Sequence, residues 1–124
     1  MEDLAPAGTL TDAARRLTQR MESGLIGQST LVERLVICLL TGGHILIEGP
    51  PGLAKTRSVR RLSDAVEGSF ARIQCTPDLM PSDVTGTQAW RQETSEMVFL
   101  PGPVFQSLVL VDEINRAPPK VQSA

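Results

Sequence analysis

Apolar residues recur at helical spacing twice near the start of this chain and then give way to short unbroken apolar runs. Leu10, Ala13, Ala14, Leu17 and Met21 stand three or four apart, the period of one helix face. Thr9-Leu10-Thr11-Asp12 precedes them in the manner of a capping box, and Gly24 closes the segment. A second helix is expected from Ser29, with Leu31, Val32, Leu35, Val36, Leu39 and Leu40 on one broad stripe and Gly42-Gly43 as its stop. His44-Ile45-Leu46-Ile47-Glu48 is then a buried strand that runs into a glycine- and proline-rich turn. From Lys55 a third helix carries Val59, Leu62 and Val66 on one face and ends at Gly68.

The second half is built of shorter pieces. Phe70 to Gln74 reads as a strand, followed by the proline-punctuated stretch 76–83 with room for one helical turn. Ala89 to Gln92 and Met97 to Leu100 form the arms of a β-hairpin whose polar tip is Glu93-Thr94-Ser95-Glu96. Pro101-Gly102-Pro103 breaks the chain, and Leu108-Val109-Leu110-Val111 is a third buried strand that ends on Asp112-Glu113. Strand, helix, strand in this order, with continuous apolar strands, predicts an α/β fold around a parallel sheet. Residues 1–8 are expected to be a loose tail, and residues 9–124 one α/β core with a hairpin insertion at 87–100.

Two places in this pattern carry candidate chemistry. Gly49-Pro50-Pro51-Gly52-Leu53-Ala54-Lys55-Thr56 follows the phosphate-loop pattern G-x-x-x-x-G-K-[ST], with Ala54 in place of the second glycine. Such a turn aims backbone N–H groups at phosphates and backs them with the positive end of a helix. Lys55 then reaches the outer phosphates, and the Thr56 hydroxyl is a ligand for Mg²⁺. Alanine at 54 is compatible with this if the backbone keeps a negative φ there. Glu48, directly before the loop, is expected to point away from the phosphates. Further on, Asp112 and Glu113 sit at the carboxyl end of a buried strand, the edge where open α/β sheets bind ligands. Asp112 would hold the metal, usually through its water, and Glu113 would orient an attacking water. The sole histidine, His44, has no ligand partner at useful spacing and reads as structural.

Charge and composition remove other classes. The 124 residues carry a net charge of −2, so no positive field draws the chain to nucleic acid or to an anionic membrane. Three Phe, one Trp and no Tyr make a base-stacking platform a poor fit. The arginines at 15, 16, 20, 57, 60 and 61 read as solvated helix faces. Cys38 and Cys75 are far apart and suggest a reducing compartment. With an acidic start and no apolar run long enough to span a bilayer, a cytoplasmic protein is expected.

Four stretches resemble the MoxR family of AAA+ ATPases. They are residues 42–48 leading into the phosphate loop; Thr76-Pro77-Asp78-Leu79-Met80-Pro81-Ser82-Asp83-Val84-Thr85-Gly86; Gly102-Pro103-Val104-Phe105; and Asp112-Glu113-Ile114-Asn115-Arg116-Ala117-Pro118-Pro119-Lys120 with the residues after it. Many members of that family have Ala or Gly where Ala54 stands. The likeness implies a P-loop NTPase core of AAA+ type, with ATP and Mg²⁺ as cofactors and Glu113 and Lys55 as catalytic residues. It also implies that Ile26 and Gly27, with Gln28, lie against adenine. A homo-hexameric ring is implied as well, with chaperone-like remodelling of a client protein and a von Willebrand factor A domain partner. A magnesium-chelatase-type subunit and a nucleotide-binding module without turnover stay open as alternatives. The sensor, arginine finger and lid of such proteins follow the region represented here, so the core is expected to be incomplete, and Arg116 stands too early to be the finger. In the strand order 5-1-4-3-2 of that family, the strand at 44–48 would lack both its neighbours while the two later strands pair. Residues 1–124 alone are therefore expected to be unstable or prone to aggregate, and not to hydrolyse ATP.

Overall fold

The computed structural model describes residues 7–49 and 53–124, and the chain divides into two compact units, Met1–Glu67 and Gly68–Ala124. Among the described residues the first unit is three helices. Helix α1 spans Ala7–Glu22, so it begins ahead of the Thr9 expected to cap it. Alanine is the best helix former, and Ala7 and Gly8, assigned to a loose tail from sequence, are helical; residues 1–6 lie outside the described residues. Only the carboxyl end of its apolar stripe is covered, with Met21 fully buried and Leu10 75% exposed. Helix α2 spans Ser29–Thr41 and buries Val32, Leu35 and Val36. It ends in a Schellman turn: Gly42 is left-handed at φ 62°, its N–H donates to Leu39 O, and Gly43 N–H donates to Cys38 O at 3.0 Å. Helix α3, Leu53–Ala65, presents Val59 and Leu62 to the same core. Ser58 is buried beside them without penalty, because its hydroxyl donates to Lys55 O at 2.8 Å.

Residues 44–48 depart from expectation. They belong to no strand, and among the described residues the first unit contains no ladder at all. A strand is a property of a pair, and without a neighbour the backbone groups of this run turn to solvent. The side chains are exposed in consequence, Ile45 by 37% and Leu46 by 73%, and His44 is exposed too.

The second unit holds a two-stranded parallel sheet and a hairpin. Strand β1, Phe70–Gln74, pairs with β4, Leu108–Asp112, in the register Phe70↔Leu108 to Gln74↔Asp112. This is the parallel pairing expected of the two later strands. Between them a short helix α4, Pro81–Thr85, starts with the Asp83 carboxylate accepting from Met80 N–H at 2.8 Å. The hairpin strands are β2, Gly86–Arg91, and β3, Glu96–Pro101. Both run past the apolar alternation that predicted them, since Gly86 and Pro101 continue the ladder. Gly86 takes φ 104°, and a side chain there would strike Leu100 O; one at Gly102 would strike Val84 O. After β4, a 3₁₀ turn at Ile114–Arg116 and helix α5, Pro119–Gln122, fold back against β1. Ala117 and Val121 join Ile73 and Cys75 in a buried cluster, flanked by Leu79, Val84 and Val109.

Candidate functional site

In the first unit the loop candidates gather at the start of α3. Leu53, Ala54, Lys55 and Thr56 are its first four residues, so position 54 has the negative φ that a residue other than glycine needs. Pro50, Pro51 and Gly52 lie outside the described residues. The Lys55 ammonium turns back and donates to Gly49 O at 2.7 Å. Beside it runs a groove of about 500 Å³, within the range of small-molecule sites. Gln28, Thr30, Leu31 and Arg34 form one wall, and residues 45–49 with Lys55 form the other. Glu48 is among the lining residues, against the expectation that it would point away; a run with no ladder has nothing to hold its alternation. Gln28 reaches this groove, while Ile26, 93% exposed, and Gly27, left-handed at φ 77°, are not part of its wall. Thr56 lines a separate groove of about 370 Å³ with Arg57, Arg60, Arg61 and Asp64. Thr30 and Arg34, four apart on α2, were not singled out from sequence, though their helical spacing after Gln28 would have placed them on one face.

In the second unit the two carboxylates close β4. Asp112 ends the strand opposite Gln74, and its Oδ2 accepts from Arg72 Nη2 at 2.5 Å. The same nitrogen donates to Gln74 Oε1 at 3.0 Å. Glu113 follows with φ 55° and ψ 49°, a left-handed conformation that is uncommon for a residue other than glycine. Its carboxylate accepts from Arg116 Nη1 at 3.0 Å across the 3₁₀ turn. Gln122 Nε2 donates to Ala117 O at 3.0 Å and so ties the following helix to this turn. Beneath them Cys75 is fully buried, and its N–H donates to Asp112 O at 3.0 Å. Burial first, and then the negative charges of Asp112 and Glu113, hold this thiol above its ordinary pKa. Among the described residues no group of three His, Cys, Asp or Glu gathers around a point. No described helix is long and apolar enough to cross a membrane.

Residues 44–124 match the family model of the "ATPase family associated with various cellular activities (AAA)". The chain is 52% identical over 100 residues to "Chaperone MoxR1" of Mycobacterium tuberculosis, covering 81% of this chain and 26% of that protein. It is 31% identical over 117 residues to "Protein MoxR" of Methylorubrum extorquens, covering 90% of this chain and 34% of the relative. A crystal structure of a candidate ATPase from Cytophaga hutchinsonii superposes with a TM-score of 0.69 at 41% identity, over 94% of this chain and 37% of the other. The chain thus spans between about a quarter and a third of the length of these relatives. With a phosphate-loop sequence opening one helix and a carboxylate pair closing a parallel strand, this chain belongs to the AAA family of ATPases, in its MoxR group.

Proposed function

We propose that the protein binds ATP along residues 49–56 and hydrolyses it with Mg²⁺, using the energy to remodel a client protein. The observation that carries this reading is the Lys55 ammonium, 2.7 Å from Gly49 O at the head of α3. A lysine held across a loop at a helix N-terminus is poised to exchange that carbonyl for phosphate oxygens. Gly49, Pro50, Pro51, Gly52, Leu53 and Ala54 supply the backbone around the phosphates. The groove leading from Lys55 to Gln28 would be the route for the nucleoside, and the resemblance alone would bring Ile26 and Gly27, outside the groove's wall, to the adenine.

The oxygen donors suit Mg²⁺, which takes one or two protein oxygens and keeps waters and phosphate oxygens for the rest. The Thr56 hydroxyl would be such an oxygen, and by the resemblance the Asp112 carboxylate would hold the metal through its water. When bound, the metal would neutralise charge on the phosphates. The Glu113 carboxylate would accept a hydrogen bond from the attacking water's O–H and orient it toward the outer phosphate. In the structure the Glu113 carboxylate accepts from Arg116 Nη1 at 3.0 Å in an exposed pair, which a water would have to share or displace. The name of one relative, "Chaperone MoxR1", supports chaperone-like work. By resemblance, the assembly is a homo-hexamer acting with a von Willebrand factor A domain partner in the cytoplasm.

The reading is tested with Glu113→Gln in the full-length protein. The amide keeps shape but loses the charge that polarises water, so ATP binds and persists while phosphate release falls on the order of 100-fold or more. Undiminished turnover would place the water-orienting role elsewhere. Failure of wild-type protein to release phosphate, with ATP still bound tightly, would favour a binding module.

A further inference from the structure

Arg72 and Gln74 lie two apart on β1 and so share a face of the sheet. The parallel register sets Gln74 opposite Asp112 and Arg72 opposite Leu110, so the arginine leans forward along its strand to meet the carboxylate. One nitrogen, Nη2, then serves both Gln74 Oε1 and Asp112 Oδ2. This differs from an ordinary surface pair. Asp12 and Arg15 on α1 stand 4.0 Å apart with side chains 58% and 74% exposed, whereas the Asp112 side chain is 25% exposed and is met from the neighbouring strand. The bond engages Oδ2 and leaves Oδ1 outside it.

We propose that Arg72 is a positioning residue for Asp112, its guanidinium steadied by Gln74 and holding one carboxylate oxygen so that the other meets the water of a divalent cation. The inference rests on the reading of Asp112 as a metal-binding residue. Two effects of the arginine oppose each other. Its charge repels a cation, but the arginine side chain is 45% exposed, and the high dielectric of the surrounding water weakens that repulsion. Its hydrogen bond removes the rotational freedom of a carboxylate that must otherwise be ordered when the cation arrives, and groups that orient metal ligands are worth on the order of 10- to 100-fold in metal affinity. Orientation wins because it acts directly on the carboxylate that must be ordered, while the repulsion is weakened by the surrounding water.

The test uses the full-length protein with a non-hydrolysable ATP analogue and Mn²⁺ as the probe, followed by electron paramagnetic resonance. Arg72→Ala raises the Mn²⁺ concentration for half-saturation about tenfold. Analogue affinity in EDTA is unchanged, and Arg72→Lys recovers part of the loss. If Arg72→Ala does not fold, as judged by its melt, Gln74→Ala shifts the curve in the same direction by a smaller amount. A Mn²⁺ curve unchanged in the folded variant, or moved to lower concentration, would overturn the inference. Asp112→Asn separates the two levels. If it shifts the curve and Arg72→Ala does not, the positioning role alone is wrong; if neither shifts it, the metal reading of Asp112 falls as well.

Discussion

Replacing Lys55 with alanine removes one group from two different partners, and the structure allows the difference to be worked out. In the structure the ammonium donates to Gly49 O at 2.7 Å on an exposed surface. A hydrogen bond to a charged donor is worth about 1.5–3 kcal/mol when shielded, and exposure lowers this one to about 1 kcal/mol. By the proposed reading, the same ammonium would face the β- and γ-phosphates of bound ATP through charge-assisted bonds, roughly twice as strong as neutral ones, for about 3 kcal/mol in total. The variant forfeits both, so the loss in binding is the difference, about 2 kcal/mol, or roughly thirtyfold in Kd. The assay is titration of the full-length protein with a fluorescent ATP analogue, in Mg²⁺ and again in EDTA, beside the wild type. The lysine acts on phosphate directly, so the loss should persist in EDTA. A variant that binds as tightly as wild type in both conditions would refute the phosphate assignment of residues 49–56.

Other outcomes follow from single features. Gly86→Ala combines a positive φ with a backbone collision at Leu100 O, and should destabilise by about 3 kcal/mol, read as a lowered melting temperature. Thr94→Ala lies at the exposed hairpin tip and should change stability by less than about 0.5 kcal/mol while leaving basal hydrolysis intact; a large fall in melting temperature would mean the tip is packed. Cys75 should resist iodoacetamide in the native protein at pH 8, with the half-buried Cys38 modified first, as followed by peptide mass. Because the folded state raises the Cys75 pKa, its contribution to stability is complete below the unfolded thiol pKa and is lost as pH rises through the folded value. Melts of wild type and Cys75→Ala should therefore differ in slope only on the alkaline side.

What could be read from sequence was whatever is local. Helix α2 announces both its buried stripe and its stop, because Val32, Leu35 and Val36 repeat at the helical period and Gly42 must be left-handed. The hairpin was legible from its alternation and its polar tip, although the ladder reaches Gly86 and Pro101, which carry no apolar signal. The start of α1 was misplaced because a good capping residue competed with an alanine just ahead of it. Residues 44–48 look like a buried strand in every local respect, but burial and pairing come from neighbours that the run itself does not encode. In the candidate site, Lys55 and the carboxylate pair stood out by spacing. Arg72 did not, because its value depends on the register that brings Gln74 opposite Asp112, and register is a long-range property.

The hairpin has a consequence for the order of events in folding. The parallel pair β1 and β4 joins residues 38 apart in the chain, as the contact between Ser69 and Ser107 at its mouth shows. Parallel pairing of that span is slow, since loop closure must be achieved before any ladder bond rewards it. The hairpin between Gly86 and Pro101 needs only local contacts, and hairpins form in about 1–10 μs. Once formed, it draws its own ends together and roughly halves the open chain that β1 and β4 must close, worth about 0.6 kcal/mol in the closure barrier. A chain with this hairpin replaced by a flexible linker of equal length should refold about threefold more slowly, the equivalent of that barrier change at 25 °C.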